Sequence, residues 1–286
     1  MSCSPPSPAA ELALSLIEGL KTELYLSPKP GLVDRLDNGS HPDLSLAAME
    51  ASIELFEYYL CDLIRELDEG DEVEALIRIG RNAEERMFRH LGTNTHKGAI
   101  FLGGLLVCAR ARVDTEEPRR LRLKLAELAG RFFERTPARV SNGERVRRRL
   151  GRSGVVGEAL CGLPSLFDLA LPAWGQAQAL GWDERRSRFF MMARLMQQVE
   201  DTTALHRCGE AGLARLRGDG RRIEELMLRG CDPAALLSRL NGEYRALNLT
   251  MGGVADLLGI ASGYLLHLRN RVQAPEALPA MAAVSR

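Results

Sequence analysis

Apolar residues return every three or four positions along almost the whole chain, while the every-second-residue alternation of a half-buried strand is nearly absent. Leu12, Leu16, Ile17, Leu20 and Leu24 form one such series, and Ile53, Phe56, Tyr59, Leu60, Leu63 and Ile64 form a second. That spacing lines one stripe of an α-helix. Further helices are predicted at about 71 to 90, 96 to 112, 117 to 135, 155 to 180, 183 to 200, 207 to 217, 232 to 247 and 251 to 271, separated by Gly, Pro, Asn or Asp. The expectation is an all-α fold. No repeat of fixed period is visible, and the longest linker candidate, Thr136 to Gly154, does not divide two compositions. One multi-helix globular domain over residues 9–272 is therefore expected, with loosely ordered ends at 1–8, rich in Ser and Pro, and 273–286, rich in Ala and Pro. At 286 residues such a chain can bury roughly three quarters of its unfolded surface and needs no staples.

Lys plus Arg and Asp plus Glu both number 38, so the net charge is zero and no global field draws nucleic acid or an anionic membrane. Any anion must be held locally. Arg139, Arg145, Arg147, Arg148, Arg149 and Arg152 crowd one short stretch, which reads either as a solvated helix face or as a grip for phosphates. The six cysteines lie far apart without a C-x-x-C pair, consistent with small core residues in a reducing compartment. No apolar run approaches the ~20 residues of a membrane span, and the start lacks the regions of a signal peptide. A cytoplasmic protein is expected.

Five polar, glycine-rich segments interrupt the helices: 27–44, 92–104, 154–165, 200–213 and 248–259. The first fixes its backbone with Pro28, Pro30 and Gly31 and presents Lys29, Asp34, Arg35, His41 and Asp43. So many ionisable groups in one ordered loop point to function. In the second, Asn94 or Thr95 can cap a helix whose first turn holds His96 and Lys97. A cation there opposes the helix dipole, and a bound phosphate would resolve the conflict. The third places Glu158 early in a helix, as a dipole charge or a reacting carboxylate. The fourth mixes Asp201 and Thr202 with His206 and Arg207, either an ion pair or a carboxylate beside phosphate donors. The fifth offers Gly252 and Gly253 for close backbone approach, followed by Asp256. Single carboxylates from separate segments suggest magnesium held mainly by phosphates. The absence of G-x-x-x-x-G-K-[ST] excludes a P-loop.

Over residues 11 to 271 these segments resemble the triphosphoribosyl-dephospho-CoA synthase family, which makes a prosthetic-group precursor for citrate lyase and malonate decarboxylase. The motifs that carry the resemblance are PKPGLVD with G-x-H-x-D, NTHKGAIF, GEA with G-x-P-S, DT with LHR, and GG-x-ADLL, in that order. The chain departs from the family pattern in four places. Val155 and Val156 replace an Ala-Arg pair, Thr203 an Asn, Cys208 a Gly, and Thr250-Met251 a Ser-Pro pair.

The resemblance implies an all-helical fold and the reaction of ATP with 3'-dephospho-CoA to 2'-(5''-triphosphoribosyl)-3'-dephospho-CoA and adenine. It implies Asp34, Glu158 and Asp201 as candidates for catalysis at the anomeric carbon. Lys29, Arg35, His41, Asn94, His96, Lys97, His206, Arg207, Gly252 and Gly253 become the candidates for substrate and phosphate contacts. Glu84, Asp201 and Asp256 become those for magnesium. ATP and 3'-dephospho-CoA would be the partners, with no nucleic acid and no membrane, and an acyl carrier protein system downstream; a homo-oligomer is left open. A related nucleotide glycosyl transferase or hydrolase with another acceptor, and a non-catalytic protein binding nucleotide or coenzyme A, are the competing readings.

Overall fold

The computed structural model describes residues 6–70, 72–93, 95–115, 117–135 and 154–273. Asn94, the Arg139 to Arg152 cluster and nearly all of the 136–154 linker candidate lie outside them, as do residues 1–5 and 274–286. The described residues form α-helices and one π-helical turn, with no strand among them. The helices are α1 (Pro8–Tyr25), α2 (Leu46–Glu69), α3 (Val73–Leu91), α4 (Lys97–Arg110), α5 (Pro118–Arg135) and α6 (Gly154–Leu160). After the π-helical turn Ser165–Ala170 come α7 (Leu171–Ala179), α8 (Glu184–Gln198), α9 (Thr202–Leu228), α10 (Ala234–Leu247) and α11 (Gly252–Gln273).

Local chemistry sets most boundaries. Ser7, Ser45, Asp183 and Asp201 accept backbone N–H bonds in the first turns of α1, α2, α8 and α9. Two expectations fail. The helix expected over 155–180 breaks after Leu160, because Gly162 and Leu163 take positive φ values of 70° and 56° and Pro164 follows. The helix expected over 207–217 instead runs from Thr202 to Leu228 and is broken at Gly209, whose φ of 63° and ψ of −161° only glycine adopts readily.

The core is built on α1, α4, α8 and α11. α4 is buried on nearly all sides, and Phe189 to Ala193 of α8 are sealed from solvent. α1 and α11 form the most extensive helix pair. They meet backbone to backbone, for a Cβ on Gly19, Gly259 or Gly263 would collide with main-chain or Cα atoms, or with Leu20, of the facing helix. Among the described residues no single helix is long and apolar enough to cross a membrane.

Candidate active site

Four of the five segments fold onto one region around the start of α4, and the 154–165 segment borders it. The loop 26–45 is held by its own side chains. Asp34 accepts bonds from the backbone N–H groups of Lys29 (2.8 Å) and Leu36 (2.7 Å), and more weakly from Asp37 (3.4 Å). Its carboxylate is buried and occupied, which makes Asp34 the organiser of this loop rather than an open catalytic group. Lys29 is also occupied. Its ammonium, 1% exposed, donates to the Glu23 carboxylate (2.5 Å) and to the Glu23 carbonyl (2.7 Å) of α1. Burial pushes the Glu23 carboxyl up against the opposing pull of Lys29.

A hydrogen-bonded chain ties the loop to the fourth and fifth segments. Arg207 donates to the Ser40 carbonyl (2.6 Å), to Asn248 Oδ1 (3.1 Å) and to His41 Nδ1 (3.1 Å). Since Arg can only donate, His41 Nδ1 accepts, and Nε2–H faces Thr250 Oγ1 at 2.9 Å. Thr250 in turn donates to the Gly31 carbonyl (2.9 Å). Burial first, then the Arg207 charge, lowers the His41 pKa to about 4, so this chain carries a neutral imidazole. His41 and Arg207 therefore hold the scaffold together. Arg35 is exposed, with its guanidinium 4.3 Å from the Tyr25 ring centroid, and His206 is exposed beside Arg207.

The acidic residues behave differently, since most of them answer a helix N-terminus. Asp201, fully buried, accepts from Thr203 N and Ala204 N of α9 and from Val254 N of α11, each at 2.9 Å. The Thr203 hydroxyl donates to Asp201 (2.5 Å) and accepts from Gly252 N (2.8 Å). Thr203, one of the departures from the family pattern, thus joins two helix starts. Glu200 Oε2 accepts from Gly154 N at the start of α6 (3.2 Å). Asp256, partly buried, accepts from Gly98 N and Ala99 N of α4. Gly98 makes room for it, since a Cβ there would overlap Asp256 Oδ2. Burial, reinforced by the negative charges of Glu23 and Asp201, raises the Asp256 carboxyl well above its usual range.

Of the two residues expected to cap α4, Asn94 lies outside the described residues and Thr95 turns elsewhere, while Asp256 answers the first turn. Ser52 of α2, fully buried, bonds to both Thr95 Oγ1 and His96 Nδ1, the latter at 2.6 Å. His96 is 3% exposed, and its Nε2 is buried without a hydrogen-bond partner among the described residues. Burial and the nearby Lys29 charge lower its pKa to about 4. Lys97, the next residue, is 52% exposed and pairs with Glu84 Oε2 of α3 at 3.0 Å. At the border, Glu158 takes bonds from Ser165 Oγ (2.5 Å) and Ser165 N (3.2 Å), and burial raises its carboxyl against them.

Glu84, Asp201 and Asp256 do not assemble into a shared metal site. Among the described residues no group of three or more His, Cys, Asp or Glu side chains is placed to hold an ion. Asp201 is saturated by N–H and O–H donors, Asp256 holds α4, and Glu84 holds Lys97. Sequence reasoning passed over Glu23, Ser52 and Glu200. Glu23 follows Leu12, Leu16 and Leu20 on the buried stripe of α1, and Ser52 precedes Phe56, Tyr59 and Leu63 on that of α2. A polar residue in an apolar stripe signals a buried partner.

The sequence profile of the family described as "ATP:dephospho-CoA triphosphoribosyl transferase" matches residues 9–276. A "probable 2-(5''-triphosphoribosyl)-3'-dephosphocoenzyme-A synthase" of Azotobacter vinelandii is 38% identical over 268 residues, covering 89% of this chain and 90% of that one. A relative of the same name from Stutzerimonas stutzeri is 35% identical over 280 residues, covering 94% and 96%. No solved structure matches the chain.

Proposed function

The chain belongs to the ATP:dephospho-CoA triphosphoribosyl transferase family, and on that premise we propose that the region around the start of α4 joins ATP to 3'-dephospho-CoA with release of adenine. The bond from the ribose anomeric carbon to adenine breaks. A bond from that carbon to the 2'-hydroxyl of dephospho-CoA forms, and the hydroxyl proton leaves, ultimately with adenine. Positive charge grows on the sugar carbon between these events.

One observation carries this reading: at the start of α4, held by Ser52 of α2 and Asp256 of α11, a buried, neutral imidazole with an Nε2 unmatched among the described residues stands beside a solvent-facing ammonium. Buried polar atoms without a partner are rare, and a substrate hydroxyl or phosphate oxygen supplies what His96 lacks. Lys97 is accessible to the triphosphate, whereas Lys29 and Arg207 are engaged within the protein. Asp34 and Asp201 are each held by three or more donors, whereas Glu158 accepts from Ser165 alone among the described residues, so Glu158 is the carboxylate we assign to take the hydroxyl proton; burial raises its carboxyl.

The donor set does not fit a resident magnesium held by Glu84, Asp201 and Asp256. Magnesium enters the proposal only as the counter-ion of the ATP triphosphate, held by phosphate oxygens and water.

Mass spectrometry of the products from ATP plus dephospho-CoA tests the reading. Free adenine and an adduct retaining all three ATP phosphates are expected. Formation of ADP or pyrophosphate would place cleavage at phosphorus and overturn it. Coenzyme A with its 3'-phosphate should be a poor acceptor, because a dianion beside the attacking hydroxyl adds bulk and repulsion.

A further inference from the structure

We propose that a cavity between α2, α3, α4 and α5 is a purine site that holds the adenine ring of one of the two substrates; the proposal rests on the transfer reaction above. The cavity measures about 130 Å³. Its walls are apolar and come from four helices, with Leu63 of α2, Leu76 and Ile77 of α3, Ile100 and Phe101 of α4, and Phe133 of α5. A packed core closes a void of this size, because every lining atom otherwise loses van der Waals partners. Here Gly80 lines the space and contributes no side chain to it, while the place a Gly104 side chain would take is filled by the Tyr59 hydroxyl.

Charge sits at the edge alone. Arg81 and Glu84 border the cavity, and Glu84 meets Lys97 at 3.0 Å. Lys97 lies one helical turn before Phe101, on the same face of α4. The arrangement selects a flat, largely apolar ring with amino donors on its rim and an anionic tail. The Phe101 and Phe133 rings, with centroids 5.5 Å apart and tilted by 52°, offer aromatic contacts to such a ring. Glu84 can accept from an exocyclic amine, and Arg81 can lie over the ring face. A purine seated here leaves its sugar at the mouth and directs phosphates to Lys97. ATP and dephospho-CoA both carry adenine, and the geometry accommodates either.

Gly80→Leu tests the proposal. A Cβ at Gly80 meets nothing within 4 Å, and α3 gains a better helix former there, so a folded variant with an unchanged or raised melting temperature is expected. Calorimetry should show adenosine binding to the wild-type chain and at least tenfold weaker binding to Gly80→Leu. The KM of one substrate should rise at least tenfold, that of ATP if the site takes the departing base and that of dephospho-CoA if it takes the acceptor's. If Gly80→Leu fails to fold, Ile77→Phe fills the cavity from the same wall and is read identically. Unchanged adenosine affinity with both KM values within twofold of wild type overturns the proposal. So does competition for the cavity by pantetheine and not by adenosine. If the wild-type chain binds adenosine through this cavity yet releases no adenine from ATP plus dephospho-CoA, the reaction reading fails and the purine site stands.

Discussion

The loop after α1 and the first turn of α4 each present a lysine to the same region, and the sequence treats the two alike, yet the fold gives them opposite situations. Lys29 is 1% exposed and locked to a Glu23 that is 4% exposed; Lys97 is 52% exposed and rests on the half-buried Glu84. The first arrangement is an internal clamp between α1 and its loop. The second is a surface pair of the kind worth at most about 1 kcal/mol, so a ligand can take the ammonium from its carboxylate at little cost. Burial, and not residue type, separates a structural cation from one available to substrate.

The largest effect should come from breaking the clamp. Lys29→Met leaves the Glu23 carboxylate buried and unpaired, and a loss of about 3 to 5 kcal/mol is expected in denaturant unfolding. Lys29→Met with Glu23→Leu should recover most of it. A single variant that melts like wild type but loses activity would move Lys29 into the substrate site and erase the contrast.

Lys97→Ala should do the reverse. Stability should shift by no more than about 1 kcal/mol, while loss of one charged donor to the transition state should remove about 2 to 4 kcal/mol. That is roughly 30-fold to 1,000-fold in the rate of adenine release. Near-normal turnover would remove the start of α4 from the chemistry.

His96, which sits between the two lysine environments, sharpens the comparison through pH. Its folded pKa of about 4 lies below the ordinary 6.5, so the unfolded chain takes up the proton first as pH falls. The neutral imidazole therefore costs no stability above pH 6.5, and stability drops progressively between pH 6.5 and 4, by about 3 kcal/mol for this one group. His96→Gln should flatten that limb of the stability–pH curve. The raised carboxyls of Glu23 and Asp256 act with the opposite sign but are common to both proteins, so the difference curve isolates the histidine. Superimposable slopes would show that His96 titrates normally.

The smallest effects separate the two aspartates at helix starts. Asp201→Asn must turn an amide N–H toward a backbone or hydroxyl donor, at a cost of about 1 to 3 kcal/mol. Asp256→Asn keeps an oxygen for Gly98 and Ala99 and relieves repulsion from Glu23 and Asp201, so thermal melts should change by less than about 1 kcal/mol. Equal losses would mean that both aspartates simply hold helices.

Helix existence was legible because the 3.6-residue spacing is written in side chains, as at Leu12 to Leu24. The breaks at Leu163 and Gly209 fall within segments that the sequence marks as glycine-rich interruptions, but the residue at which each helix turns is set by a positive φ that spacing does not display. The segments that build the site were legible as polar interruptions. The roles within them were less so. Whether Asp34, Asp201 or Lys29 has lone pairs or protons to spare depends on main-chain N–H and carbonyl groups brought in by folding, which no spacing displays.

The glycine seam between α1 and α11 joins helices that leave the ribosome far apart in time. Without Gly259 and Gly263, α1 lacks its most extensive partner, although α2 and α4 can already cover part of its stripe, and α4 lacks the Asp256 that answers its first turn. A helical protein usually folds quickly through local contacts, but here the core closes and the site assembles through a pairing between α1 and α11, which are distant in sequence. Local helix formation alone therefore leaves the site unassembled, and its geometry depends on a long-range contact.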